Sequence, residues 1–517
     1  MGFNIKKSVD VKLNVRPVLV DLVHDYVFEG PCRFRKGEQL EHDFDVKSYA
    51  ELYKMFVKDV REKLSEEYFT ILEPKHISWN ESFIIEESQL NDMAEDIANV
   101  DVFLIQAPGV GDFVIEFALK FKKPMIVLGF CLNTMTTAAL TARGLDAFPC
   151  ETLDDAVETM KIMRVKKALA ETKVLALTRI NSNNAPGIYD SFLSLNDVTA
   201  KLGSRFRFVN IHEFIDQTHN IPADANPTTP GRLESNINDE DEKEIEKMVD
   251  AFIKGASENH MERENIVPSM RAHYLINKLM DKMGCNAFTA PCFDICASRR
   301  FNEERFTFCL NHSLNNENGI PSACEYDMCA LFAMIILMNT AKSAPYMGNT
   351  IPNPIKTGSL AAMTEHGLGL LNSEGVFAIE KELEGMDNLV FTFHAVPNRK
   401  LKGFDHPPAP YGIQSFTHSG WGATIRYDFA KDKGREITMC RFDPTCSKLF
   451  VACGTIVGGI GYRDRNCSEG VIFQVADSTD FFEKISLFGN HHPLVYGDYF
   501  KQLVKLGKML KVEIVTA

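Results

Sequence analysis

Several absences narrow the possibilities. None of the 13 cysteines forms a Cys-x-x-Cys pair, and Cys292-Phe293-Asp294-Ile295-Cys296 is the nearest spacing. Nothing elsewhere completes a zinc site of that kind. Cys131, Cys329, Cys440 and Cys453 lie inside apolar runs and read as small buried hydrophobes of a reducing compartment. No stretch of about 18 apolar residues is free of charge, so no membrane-spanning helix is expected. The start, Met1-Gly2-Phe3-Asn4-Ile5-Lys6-Lys7-Ser8, has no apolar leader core, which predicts a cytoplasmic chain. Basic runs are missing too: 56 Lys and Arg face 70 Asp and Glu, a formal charge of −14, which argues against nucleic-acid binding. There is no Walker A loop, G-x-S-x-G elbow or H-E-x-x-H helix. Gly109-Val110-Gly111 fails the dinucleotide fingerprint because residue 114 is Val. No repeat or low-complexity segment is present.

What remains is globular: 45% hydrophobic and 24% charged residues over 517 positions, enough for about three domains. In the first third, apolar runs at Arg16–Leu22, Val100–Ile105 and Pro124–Gly129 alternate with helical spacing at Ser48–Glu66 and Phe113–Phe121. That alternation predicts a parallel sheet covered by helices. The pattern restarts at Lys173–Leu177 and Phe206–Ile211 and runs to an apolar helix at Ala330–Met338. The acidic stretch Glu234–Glu246 reads as a solvated helix start. Beyond about residue 351, strand-like runs at Leu389–His394, Gly422–Tyr427, Glu436–Phe442 and Lys448–Ala452 are separated by turn residues. A helix at Tyr499–Leu510 and a strand at Val512–Val515 close the chain. The expected fold is therefore α/β: two successive parallel-sheet, Rossmann-like domains (1–170 and 171–350), then a mostly β, barrel-like domain (351–517).

Two stretches carry chemistry. Asn311 to Asp327 reads as a polar loop that turns at Asn318-Gly319, passes Pro321 and presents Glu325 and Asp327 before the apolar helix. Carboxylates there serve either as catalytic groups or as caps favoured by the helix dipole. Asn490-His491-His492 reads as paired imidazoles on a Gly/Asn loop, suited to a metal or a proton, or simply neutral loop histidines.

Taken together, Cys324-Glu325-Tyr326-Asp327-Met328-Cys329-Ala330-Leu331, Asn490-His491-His492 with Val495-Tyr496-Gly497-Asp498-Tyr499, Leu389–Pro397 with His394, and Arg16-Pro17 with Arg33 and Arg35 resemble the motifs of the L-fucose isomerase and L-arabinose isomerase superfamily, in its fucose isomerase-like branch. The resemblance spans nearly the whole chain. It implies an aldose–ketose isomerase acting on a sugar or modified sugar through an enediol. The cofactor implied is Mn²⁺, or another divalent cation such as Mg²⁺, which carboxylate and imidazole ligands suit. By this resemblance Glu325 is proton carrier and metal ligand, with Asp327 as a further catalytic acid. One or both of His491 and His492 are metal ligands. Arg33, Arg35, Asn349 and His394 are substrate-binding. The family's second metal acid falls on Pro345-Tyr346-Met347-Gly348-Asn349, where Asn349 holds its place. A neutral amide binds a divalent cation more weakly than a carboxylate and is no base near neutrality. Either Asn349 holds the metal more loosely as a neutral ligand, or Asp327 or Glu365 replaces the acid, with His366 a further ligand, or the isomerase chemistry is lost or altered and the scaffold binds sugar without turning it over. The family's habit of forming trimers or hexamers implies a homo-oligomer, in which Arg33 or Arg35 could complete a neighbour's site.

Overall fold

Apolar runs buried on both faces form the strands of two parallel sheets, and the barrel strands too are buried at nearly every position, as in Leu389–Phe393 and His491–Tyr496. The computed structural model describes residues 2–23, 36–41, 43–80, 90–91, 93–94, 96–107, 111–129, 132–178, 191–220, 236–292 and 298–517. Arg33, Arg35, Gly109 and Val110 lie outside the described residues. The chain divides into two compact units, Asp10–Lys167 and Met1–Val9 with Ala168–Ala517. The segments 171–350 and 351–517 thus share one unit, and the boundary between them falls within strand Tyr346–Pro352.

In the Asp10–Lys167 unit the sheet is parallel throughout. Strand Leu13–Val23 pairs on one side with Phe69–Ile71 and then Lys75–Asn80; on the other side follow Val102–Gln106, Met125–Leu128 and Ala147–Cys150. Val15, Leu19, Phe103 and Ile126 are fully buried. Each such side chain contributes about 1.5–3 kcal/mol of burial free energy. Arg16 is buried in strand Leu13–Val23 and ion-paired with Asp96.

Among the described residues the larger unit has three sheets. A parallel one orders Ser322–Ala323, Ala287–Thr289, Lys173–Thr178 and Arg205–Asn210. A small one joins Glu258–Asn259 to Gly412–Ser415 and Ala423–Arg426. The third is a closed antiparallel barrel: Tyr346–Pro352, Leu389–Phe393, Gly470–Gln474, Lys448–Ile460, Glu436–Phe442 and His491–Tyr496, the last pairing back to the first. Tyr346, Val390, Met439, Phe450, Phe473 and Leu494 fill its interior, with Phe481 of helix Ser478–Ile485. Closure leaves these six strands with no open edge between them. Helix Met328–Ala341 is apolar on every side, so it must be covered on every side. It packs on the barrel strands Glu436–Phe442 and His491–Tyr496 and on Ser322–Ala323 of the parallel sheet.

Two local expectations are corrected. The polar-looking stretch from Asn311 is helix Cys309–Glu317, buried along its whole length. Its polar side chains bond to one another and to neighbours: Asn311 to His273, Asn315 to Asn277, Asn316 to Ser322. The paired histidines are not on a loop; they open barrel strand His491–Tyr496. The acidic stretch does start a helix, Asp239–Gly255, through a capping box in which Asn238 and Asp241 exchange bonds.

Candidate functional site

Four residues, Cys324 to Asp327, link strand Ser322–Ala323 to helix Met328–Ala341. They lie at the carboxyl end of a parallel strand, where open α/β sheets place their sites. Glu325 and Tyr326 both take left-handed backbone conformations, φ 58° and 59°. For residues with side chains this costs roughly 1–2 kcal/mol each. The turn is held by Tyr326 N–H donating to Ala290 O (2.8 Å) and Asp327 N–H donating to Cys324 O (3.1 Å). Asp327 caps the helix: its Oδ1 accepts from Ala330 N–H at 2.7 Å.

Two imidazoles reach Glu325 from separate barrel strands. His491 Nε2 stands 3.5 Å from Oε2, and His394, which follows strand Leu389–Phe393, has its Nε2 3.5 Å from Oε1. The two ring centres are 5.5 Å apart. Both rings are buried, and Glu325 is only partly exposed. Burial alone would raise the Glu325 carboxyl. The close His394 imidazole and the charges of His491, His394 and His312 outweigh it and hold the group at about 2.

Hydrogen-bond partners fix the tautomers. Asp327 Oδ2 lies 3.0 Å from His491 Nδ1, and a carboxylate only accepts, so Nδ1 carries the hydrogen. His491 therefore turns its Nε2, the nitrogen that takes up a second proton or a cation, toward Glu325. His394 is reversed: its Nδ1 accepts from Ala395 N–H at 3.0 Å, which places the ring hydrogen on Nε2, facing Glu325. Asp327 is wholly buried and paired with the equally buried Arg441, whose Nη1 donates to it at 2.6 Å. Burial would raise the Asp327 carboxyl, but Arg441 and His491 hold it below its ordinary range. Arg441 also donates to Phe488 O and His491 O, both at 2.6 Å. Gly489 (φ 112°) is required beside it, since a Cβ there would lie 2.8 Å from Arg441 Nη2.

The expected residues therefore separate. Glu325, His491 and His394 converge. Asn349 is half-buried and sits directly opposite His491 in the antiparallel ladder, hence on the same barrel face, with its Oδ1 accepting from Asn490 Nδ2–H. His492 does not join them. Successive residues of a strand face opposite ways, and its ring points into the barrel against Phe450 and Phe481, 5.6 and 6.4 Å between centres. Burial, with Arg441 nearby, pushes it down to about 3. Asp327 has both oxygens engaged in capping the helix and binding Arg441 and His491, so it orients the site and is not placed as an acid toward substrate. Glu365 and His366 lie on an exposed segment, where Glu365 Oε2 accepts from Ser373 N–H. Arg441 was missed by motif reading, yet a lone charge inside the apolar strand Glu436–Phe442 signals a buried partner.

The Glu325 carboxylate and the His491 imidazole suit a hard divalent cation, while the Cys324 sulfur, within 4.8 Å of Glu325 and His394, adds a soft donor beside them. Arg441 neutralises Asp327, which leaves the Glu325 charge to be balanced by a cation or by a proton on His491 Nε2. An imidazole oriented by a carboxylate, with its other nitrogen facing a second carboxylate, is the outer-partner arrangement of metal-bound histidines. No known family and no curated protein matches this chain.

Proposed function

We propose that the protein is a metal-dependent aldose–ketose isomerase acting on a sugar or modified sugar through an enediol. The observation that carries this reading is the Glu325 carboxylate set against His491 Nε2, with His491 Nδ1–H tied to Asp327. Glu325 and His491 would hold the cation, Mn²⁺ or Mg²⁺, with Asn349 as a neutral oxygen donor. Bound there, the cation would polarise two neighbouring sugar oxygens and stabilise negative charge on them. Glu325 would take the proton from the carbon beside the carbonyl and return it to its neighbour. A carboxyl held at about 2 is ionised at neutral pH, as a ligand must be, and is a weak base. Substrate must therefore draw His394 or His491 away from its oxygens before the proton moves. His394 Nε2–H stands where it can donate to a sugar hydroxyl. The reading includes a cytoplasmic homo-oligomer, trimeric or hexameric. Among the described residues no helix is long and apolar enough to cross a membrane.

Asn349 favours a second reading, a sugar-binding protein on the same scaffold without turnover. One experiment separates the two: aldoses and ketoses are incubated in D₂O with Mn²⁺ and protein, and loss of the proton beside the carbonyl is followed by NMR. Exchange that disappears in Glu325→Gln supports the isomerase. Sugar binding with no exchange for any sugar supports the binder.

A further inference from the structure

A second group of donors lies on the other side of Cys324. The Cys292 and Cys324 sulfurs and an imidazole nitrogen of His312 all fall within 4.8 Å of one another, and the three residues are 6%, 2% and 0% exposed. Their positions follow from the fold. Strands Ala287–Thr289 and Ser322–Ala323 are parallel neighbours in the register Thr289 to Ala323, so Cys292 and Cys324 leave the same end of the sheet side by side. Helix Cys309–Glu317 supplies His312.

We propose that Cys292, Cys324 and His312 form a buried site for a soft divalent cation of the zinc class, built against the turn that carries Glu325. Cys292 Sγ is 3.7 Å from His312 Nε2. Two donors at about 2.3 and 2.0–2.1 Å from one tetrahedral ion stand about 3.6 Å apart. The ring is already oriented. His312 Nδ1 bonds Ser322 Oγ at 2.8 Å, and Ser322 is clamped by Asn316, which accepts from its N–H and donates to its carbonyl, each at 2.9 Å. That outer partner turns Nε2 toward the sulfurs, as metal-bound histidines require. The rings of Phe288 and Phe308 lie beside His312, 5.7 and 6.5 Å between centres, and give the site an apolar wall. Two thiolates and one divalent cation sum to zero charge, which such burial demands. A simple disulfide would not need the imidazole, and the two thiols are unbonded. The Cys324 sulfur also lies within 4.8 Å of a Glu325 oxygen and a His394 nitrogen, so the two sites adjoin at this sulfur; two thiolates and an imidazole select a softer ion than carboxylate and imidazole do. With three protein ligands, a fourth position stays open.

The test uses the full chain, reduced, stripped with a chelator and reloaded with one equivalent of Zn²⁺. X-ray absorption at the zinc edge is expected to show two sulfurs at about 2.3 Å and nitrogen at about 2.0–2.1 Å. Cys292→Ser lowers the sulfur count from two to one; His491→Ala leaves it at two. As a check on the unaltered protein, Zn²⁺ slows alkylation of Cys292 and Cys324 at least tenfold, read by peptide mass. A shell of only nitrogen and oxygen, a single sulfur in the unaltered protein, two sulfurs that persist in Cys292→Ser, or undiminished alkylation overturns the site. A sulfur shell without sugar turnover defeats only the isomerase reading, and turnover without a sulfur shell defeats only this one.

Discussion

Replacing Asn349 by Asp restores the charge that the isomerase resemblance leads one to expect. Thr350 N–H donates to Asn490 O, so the Asn349–His491 pair is one whose side chains approach most closely. Their Cβ atoms stand about 4.5–5.5 Å apart. Even held as far as about 5 Å from a doubly charged ion, without bonding it directly, a carboxylate gains about 6–7 kcal/mol at an effective dielectric of about 20. Desolvation offsets several kcal/mol of that. The remainder, about 1.4–2.8 kcal/mol, corresponds to roughly 10–100-fold tighter binding. Asn490 Nδ2–H donates equally well to a carboxylate, so the fold is undisturbed. The assay is titration of Mn²⁺ followed by the electron paramagnetic resonance of the free ion. Dissociation constants of Asn349→Asp and the unaltered protein that agree within about twofold would refute the placement of residue 349 beside the ion.

Glu325→Gln should lower carbonyl-adjacent proton exchange by about 10²–10⁴-fold with the circular dichroism spectrum unchanged, and activity within tenfold of the unaltered protein would remove Glu325 as proton carrier. His491→Ala should reduce Mn²⁺ content while His492→Leu retains it; equal losses would contradict the opposite facing of the two rings. Asp327→Asn strands the buried Arg441 charge and should cost about 3–5 kcal/mol in urea unfolding, so a loss below about 1 kcal/mol would show the pair to be dispensable. His492 and His273, pushed down to about 3 and about 4 chiefly by burial, are neutral when folded but take up protons at about 6.5 when unfolded. Their contribution is complete above 6.5 and is lost as pH falls toward those values, on the order of 2 kcal/mol each by pH 5. His492→Leu should therefore lose less stability than the unaltered protein between pH 7 and 5, and parallel losses would disprove the assignment.

The parallel strands were legible because burial on both faces leaves continuous apolar runs, as in Val102–Gln106 and Lys173–Thr178. Strand Glu436–Phe442 was legible to the residue. Helix Cys309–Glu317 was not, because Asn, His and Ser mark a loop unless their partners are known, and those partners come from distant elements. Strand His491–Tyr496 was hidden by Pro493, a residue that central strands avoid. Its ladder to Glu436–Phe442 ends at Leu494, so the missing N–H breaks no bond there. The expectation that Glu325 meets the paired histidines rested on the family resemblance and holds for His491 but not for His492, while His394, expected as a substrate-binding residue, lies beside Glu325 as well. The facing of His492, the role of Asp327 and the part played by Arg441 required the strand register, which no local pattern contains.

The left-handed pair at Glu325 and Tyr326 bears on any campaign to harden this protein against heat. Glycine removes the steric penalty at such positions, so libraries selected for survival at high temperature should enrich Gly at 325. Those survivors would lack the carboxylate, so thermal robustness and the proposed activity would part at this one codon.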